Sequence, residues 1–218
     1  MRILAVLFFS LVAAAAVSGC ASMSENECRV ADWHALGYED GAAGRPAGYV
    51  GERRQACARH QVGIDFDSYL EGRDRGLVQF CRPERGFNIG AQGGGYAGVC
   101  PAELEGPFLA EYEVGRRLNT LSRAAHEASA DLERAHLRLE NLNSRIVDAE
   151  VAVVFEDLSI EERASLLVQI NAMMEQRTGL RESIPHLERA QAAAIAELER
   201  YEAWLDGPRS ARVAYAGE

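Results

Sequence analysis

Residues 118–153 read LNTLSRAAHEASADLERAHLRLENLNSRIVDAEVAV, and the spacing of their apolar positions decides the fold class. Leu118, Leu121, Ala125, Ala128, Leu132, Ala135, Leu139, Leu142, Ile146, Ala149 and Val153 follow steps of three and four with no polar interruption. On a helix these positions form one continuous seam, and a seam sustained over so many heptads predicts a coiled coil. Glu156-Asp157 breaks the pattern, and Ser159 stands three residues before Glu162, the spacing of a capping box that opens a new helix. A second rhythm runs through positions 166, 170, 173, 177, 180, 184, 187, 191, 194, 198, 201 and 205, where only Arg177 and Gln191 are polar. A turn confined to residues 155–159 forces antiparallel neighbours. The predicted hairpin covers residues 118–206, with arms of roughly 60–75 Å. Pro185 is expected to kink or split the second arm near Ser183, because it lacks an N–H and crowds the preceding turn. Residues 207–218 have little to bury and are expected to be a disordered tail.

Upstream, residues 28–117 form a distinct Cys- and Gly-rich module. A helix is expected over Val30–Gly44, with Trp33, Gly37, Gly41 and Gly44 on one stripe. Tyr69, Gly72, Gly76 and Phe80 make a similar stripe on a second helix, capped by Asp65 or Asp67. Phe108, Tyr112, Gly115 and Leu118 repeat it a third time. Glycines 37, 41, 72, 76 and 115 inside helices would cost about 1 kcal/mol each relative to alanine. Either neighbouring helices approach closely there, or some of these glycines end helices. The segment Arg82–Pro107, with Pro83, Pro101, Pro107 and the glycine run 90–95, reads as a loop. As a phosphate cradle that run is a weak match, having neither a lysine nor a preceding apolar strand.

The first residues give an address. Arg2 precedes the apolar run Ile3–Val17, about 22 Å of helix and short of the ~30 Å hydrocarbon core, which fits a signal peptide better than a span. Val17-Ser18-Gly19-Cys20 resembles the lipobox of bacterial lipoproteins. The resemblance implies that residues 1–19 are removed, that Cys20 is lipidated, and that residues 20–27 form a membrane tether. Ala21, and not an aspartate, follows the cysteine, which by the same resemblance implies the outer membrane, periplasmic face. In an exported chain the even set Cys28, Cys57, Cys81 and Cys100 reads as disulfides. Of the three connectivities, Cys28–Cys57 with Cys81–Cys100 closes the shortest loops and is favoured. The rival is a metal site using Cys57, His60 and His34, but no paired C-x-x-C knuckle is present, and no metal or cofactor is expected.

Charge narrows the chemistry further. Acidic residues number 33 against 23 basic ones, and every basic residue is arginine. Without lysine there is no Schiff-base chemistry and no lysine-dependent phosphate loop. A net charge of −10 argues against nucleic acid as a partner.

One resemblance spans the module. The order Glu27-Cys28, Asp32-Trp33, Gly37-Tyr38-Glu39-Asp40-Gly41, Cys57, Asp65, Tyr69-Leu-Glu-Gly72-Arg73, Gly76-Leu77, Phe80-Cys81, Gly90, Gly94, Tyr96, Gly98-Val99-Cys100-Pro101, Phe108, Tyr112 and Gly115 resembles a proteobacterial lipoprotein family catalogued as domain of unknown function 2799. It implies an envelope-lipoprotein identity and carries no activity with it.

The leading expectation is therefore a non-enzymatic, mainly α-helical lipoprotein. Its disulfide-stapled module would carry an antiparallel coiled-coil hairpin for contact with a protein partner. The alternative is a protein that binds or hydrolyses envelope glycans through module carboxylates such as Asp32, Asp40, Asp65 or Glu71. Nucleophilic catalysis is disfavoured, since no G-x-S-x-G motif occurs and the cysteines are expected to be oxidised.

Overall fold

The structure is a computed structural model that describes residues 23–207. The expected signal peptide (residues 1–19), the lipid-attachment residue Cys20 and the tail beyond Gly207 lie outside the described residues. The described elements are α1 (Glu25–Val30), α2 (Trp33–Ala42), a 3₁₀ turn (Ala47–Tyr49), α3 (Val50–Ala58), α4 (Phe66–Phe80), α5 (Pro83–Ala91), α6 (Ala102–Phe155) and α7 (Ile160–Asp206). Among the described residues no helix is long and apolar enough to cross a membrane. They fall into two compact units. One ends at Ile89 and resumes over Gly94–Glu113; the other comprises Gly90–Gly93 and the chain from Val114 onward.

Local chemistry sets the ends of the module helices. Asp32 caps α2, accepting from Ala35 N–H at 2.9 Å, and Asp65 caps α4, accepting from Ser68 N–H at 3.0 Å. The helix expected to start at Val30 is thus broken, because Ala31 and Asp32 are extended and Asp32 restarts it. Gly44 lies beyond its end at φ +67°, with Gly44 N–H bonded to Gly41 O and Arg45 N–H to Asp40 O, the Schellman arrangement.

The expected loop over 82–107 is also corrected, since it contains all of α5 and the start of α6. Pro83 opens α5 at its first position, where a missing N–H costs nothing. Gly93, at φ +73°, and Gly94 close it with a second Schellman pair to Gly90 O and Ile89 O. The glycine run is therefore a helix stop. Pro107 sits inside α6 but only in its second turn, so a single helical bond is forfeited.

The module core is built where α2 crosses α4. Gly37 and Gly41 face the main chain of α4, and Gly72 and Gly76 face that of α2. A Cβ on Gly37 would stand 2.0 Å from Tyr69 O, and one on Gly41 2.2 Å from Arg73 O. In the other direction, Gly72 would meet His34 O at 1.9 Å and Gly76 would meet Tyr38 O at 2.2 Å. All four positions therefore direct a Cα–H at a carbonyl of the opposite helix, a weakly favourable contact open only to glycine. Gly86 of α5 makes the same approach to Phe108 O.

Around the crossing lie two apolar clusters, each with one disulfide. Cys28–Cys57 packs with Trp33 and Tyr69, and Cys81–Cys100 packs with Leu77, Phe80, Phe108 and Tyr112. The bridges span 29 and 19 residues, and loops of that size correspond to about 3 kcal/mol each in the chain-entropy model. Converting Cys81 and Cys100 together to alanine is expected to lower module stability by about 3 kcal/mol, read from the denaturant midpoint by near-UV circular dichroism.

In the second unit α6 and α7 run antiparallel. Tyr201 Oη donates to Val114 O at 3.0 Å, Arg117 pairs with Glu197 at 3.0 Å, and Gln191 Nε2 donates to Ser129 Oγ at 3.1 Å. Further along, Leu142, Ile146, Ile170 and Met173 form a shared core. Every position of both predicted seams is buried or half-buried. Ser159 accepts from Glu162 N–H while Glu162 accepts from Ser159 N–H, and this reciprocal cap starts α7. Of the two outcomes expected at Pro185, a kink or a split, the split does not occur: α7 is continuous from Ile160 to Asp206, with the Ser183 hydroxyl donating to Leu180 O at 2.9 Å just before the proline. The seam contacts on both sides of Pro185 hold the helix together through one missing bond.

Candidate functional site

The polar centre of the module is Asp40, which is 2% exposed. Helix α2 brings it beneath three other elements. From α3, Arg53 donates Nε to Oδ2 and Nη2 to Oδ1, both at 2.9 Å, a two-pronged pair. From α4, Tyr69 Oη donates to Oδ2 at 2.8 Å. From the α2–α3 connection, Arg45 Nε lies 3.5 Å from Oδ1. The Arg45 guanidinium also covers the Tyr49 ring at 4.2 Å, with that of Arg53 at 5.6 Å. Arg73 of α4, also buried, donates Nη2 to Arg45 O at 2.9 Å.

The electrostatics follow from this geometry. Burial, then the hydrogen bond to Asp40, pushes the Tyr69 hydroxyl well above the usual tyrosine range. The hydrogen bond to Asp40 likewise raises Arg53. Asp40 is thus held as an acceptor surrounded by donors, with no open side for a substrate proton. Such a group ties helices together.

Because the folded pKa of Tyr69 lies above its unfolded value, its contribution is present below about pH 10 and is lost as pH rises through the folded value. In a spectrophotometric titration at the phenolate band, Tyr69 is expected to ionise only together with unfolding. Tyr69→Phe should remove that late step and cost about 1–2 kcal/mol at neutral pH.

The other carboxylates considered as acid/base groups are placed apart in role. Asp32 and Asp65 are helix caps, and Glu71 is an exposed partner of Arg75 one turn on, at 2.7 Å. Cys57 is oxidised and lacks the thiolate that a metal would need, so the grouping with His34 and His60 loses its soft ligand. Trp33, Gly37, Gly41, Tyr69, Gly72 and Gly76 come together in the α2–α4 crossing, with Trp33 and Tyr69 both in the cluster around Cys28–Cys57. Tyr112 packs in the Cys81–Cys100 cluster and Gly115 is buried within α6. Sequence reasoning missed Arg53, Arg45 and Tyr49 as Asp40's surroundings, because they sit on a segment with no periodic signal. It also missed Gly86, for which Pro83 and Gly93 as start and stop marks were the available clue.

On the hairpin the feature of note is a groove of about 640 Å³ between α6 and α7, lined by Leu137, Leu142 and Leu180, with Arg138 and Arg145 beside them.

These features define a class: a disulfide-stapled helical module, centred on a glycine-mediated crossing, that bears an antiparallel coiled-coil hairpin. Residues 32–117 match the family described as "Protein of unknown function (DUF2799)". No curated protein and no solved structure matches the chain.

Proposed function

We propose that the protein is a non-enzymatic component of the bacterial envelope, lipidated at Cys20, anchored in the outer membrane and facing the periplasm, whose hairpin is a contact arm for a protein partner. The observation that carries this reading is the hairpin itself. Its arms spend their seams on each other, yet they leave Val154, Phe155 and Ile160 at 68%, 80% and 85% exposure around the connection. A solvated rod has no use for exposed apolar side chains concentrated at one end. Support for the address comes from the Val17-Ser18-Gly19-Cys20 sequence and from four cysteines arranged as two buried bridges, a state suited to an oxidising compartment. The carboxylate-based alternative gains no support from where Asp32, Asp40, Asp65 and Glu71 lie.

Metabolic labelling with a palmitate analogue tests the anchor. Label should appear in the wild type, fractionate with outer membrane and vanish in Cys20→Ser; label that persists in Cys20→Ser removes the anchor from the account. Deletion of residues 118–206 tests the arm. Partners recovered with the whole chain should be lost with the deletion, and an unchanged set would remove the arm from the account.

A further inference from the structure

The groove and the exposed tip of the hairpin are complementary, and they lie on the same side of α6. Leu137, Asn141, Ser144, Asp148, Val151 and Phe155 are spaced four, three, four, three and four residues apart, and all six are exposed. This stripe runs from the groove, lined by Leu137 and Asn141, to the last residue of the helix. On α7, Gly179 lines the groove, and Ala172 and Ser165 repeat its heptad position toward the tip, where a neighbouring backbone can come close.

Charge separates the two ends of the stripe. The groove has Arg138 and Arg145 and no acidic residue in its lining, and neither arginine takes part in an ion pair among the described residues. The tip sets Phe155 and Ile160 among Glu156, Asp157, Glu161 and Glu162. The hydrogen bond from Ser159 holds Glu162 below the usual carboxylate range, and Arg163, the basic residue beside these acids, is turned back onto Val153 O.

We propose that this face binds a second copy of the same chain, the apolar, acid-flanked tip of each copy seated in the arginine-lined groove of the other. From Asn141 to Phe155 is roughly four helical turns, about 21 Å. Two hairpins overlapping antiparallel by that length bring both tips to both grooves at once, which closes a twofold dimer and leaves no open-ended contact. The two exposed Asp148 side chains then face each other near the axis, a repulsion that the two tip–groove contacts must outweigh. Val151 and Val168, 50% and 69% exposed, lie within the overlap and are covered by it. The proposal rests on the reading of the hairpin as a contact arm and names its partner.

Sedimentation of the purified protein in detergent should give a concentration-dependent dimer. Phe155→Ser, a change at an exposed position, should weaken it by at least about 30-fold. The decisive arm is a charge exchange. Arg138→Glu with Arg145→Glu should be monomeric alone, as should Glu156→Arg with Asp157→Arg, while an equimolar mixture of the two should dimerise, because both tip–groove contacts are then attractive. A wild type that stays monomeric overturns the proposal, as does a mixture that does no better than its components. A photo-crosslinker at position 155 in cells separates the two readings. Adducts to a different protein, with the purified chain monomeric, overturn the second-copy proposal and keep the contact arm; no protein adduct at all defeats both.

Discussion

Gly72→Ala is expected to cost the module about 3 kcal/mol or more. The added Cβ would stand 1.9 Å from the carbonyl oxygen of His34 and 2.8 Å from its carbonyl carbon. Both are main-chain atoms in a helix, so neither can rotate away as a flexible side chain would. Relief requires α2 and α4 to separate, and the contacts of Gly37, Gly41 and Gly76 are lost with it. The result should be a cooperative loss of near-UV signal at much lower denaturant. The internal control is Gly51→Ala. That glycine lies within α3 of the module with nothing within 4 Å of a built Cβ, so the change should gain about 0.5–1 kcal/mol from helix propensity and chain entropy. Equal, small effects at the two positions would mean that the crossing is looser than described.

Asp40→Ala should cost about 3–5 kcal/mol, because it leaves the Arg53 guanidinium and the Tyr69 hydroxyl without their acceptor. The Arg53 side chain is only 19% exposed, so solvent can restore part of its hydration and no more. Arg45, half exposed, contributes less to the balance. The triple change Asp40→Leu, Arg53→Met and Tyr69→Phe removes charge and partners together and should recover most of the loss, as apolar replacement of buried ion pairs often does. Chemical denaturation of the single and triple variants checks both statements. If Asp40 were instead a working acid or base, Asp40→Asn would abolish an activity while leaving stability near that of the wild type.

Much of this was legible in the chain because it follows from periodicity. The seam through Leu118 and Val153 and the capping box at Ser159 are short-range patterns, and they mark both arms and the turn between them. The glycine stripes were legible as an unresolved choice between close crossing and helix ends. The structure answers it: Gly37, Gly41, Gly72 and Gly76 are crossing points and Gly115 lies inside α6, so none of the five ends a helix. The region from Arg82 to Pro107 misled because proline and glycine counts do not reveal position. Pro83 is harmless at a first turn, Pro107 is tolerated near an N-terminus, and Gly93 stops a helix. The surroundings of Asp40 were illegible for a different reason. Arg53 reaches it from thirteen residues away across an irregular connection, and no spacing rule announces such a pair. The tip–groove complementarity of the hairpin likewise emerges only when exposure is known position by position, since seam and surface stripe share the same three-four rhythm.

The central claim is that the module is a scaffold and the hairpin is the part that touches other proteins. Photo-crosslinkers placed one at a time at exposed positions test it most directly: Phe155 and Val168 on the hairpin, Glu71 and Val78 on the module, in the intact chain in cells. Adducts are predicted from Phe155 and Val168 and not from Glu71 or Val78. Adducts from the two module positions, with none from the hairpin, would contradict the account.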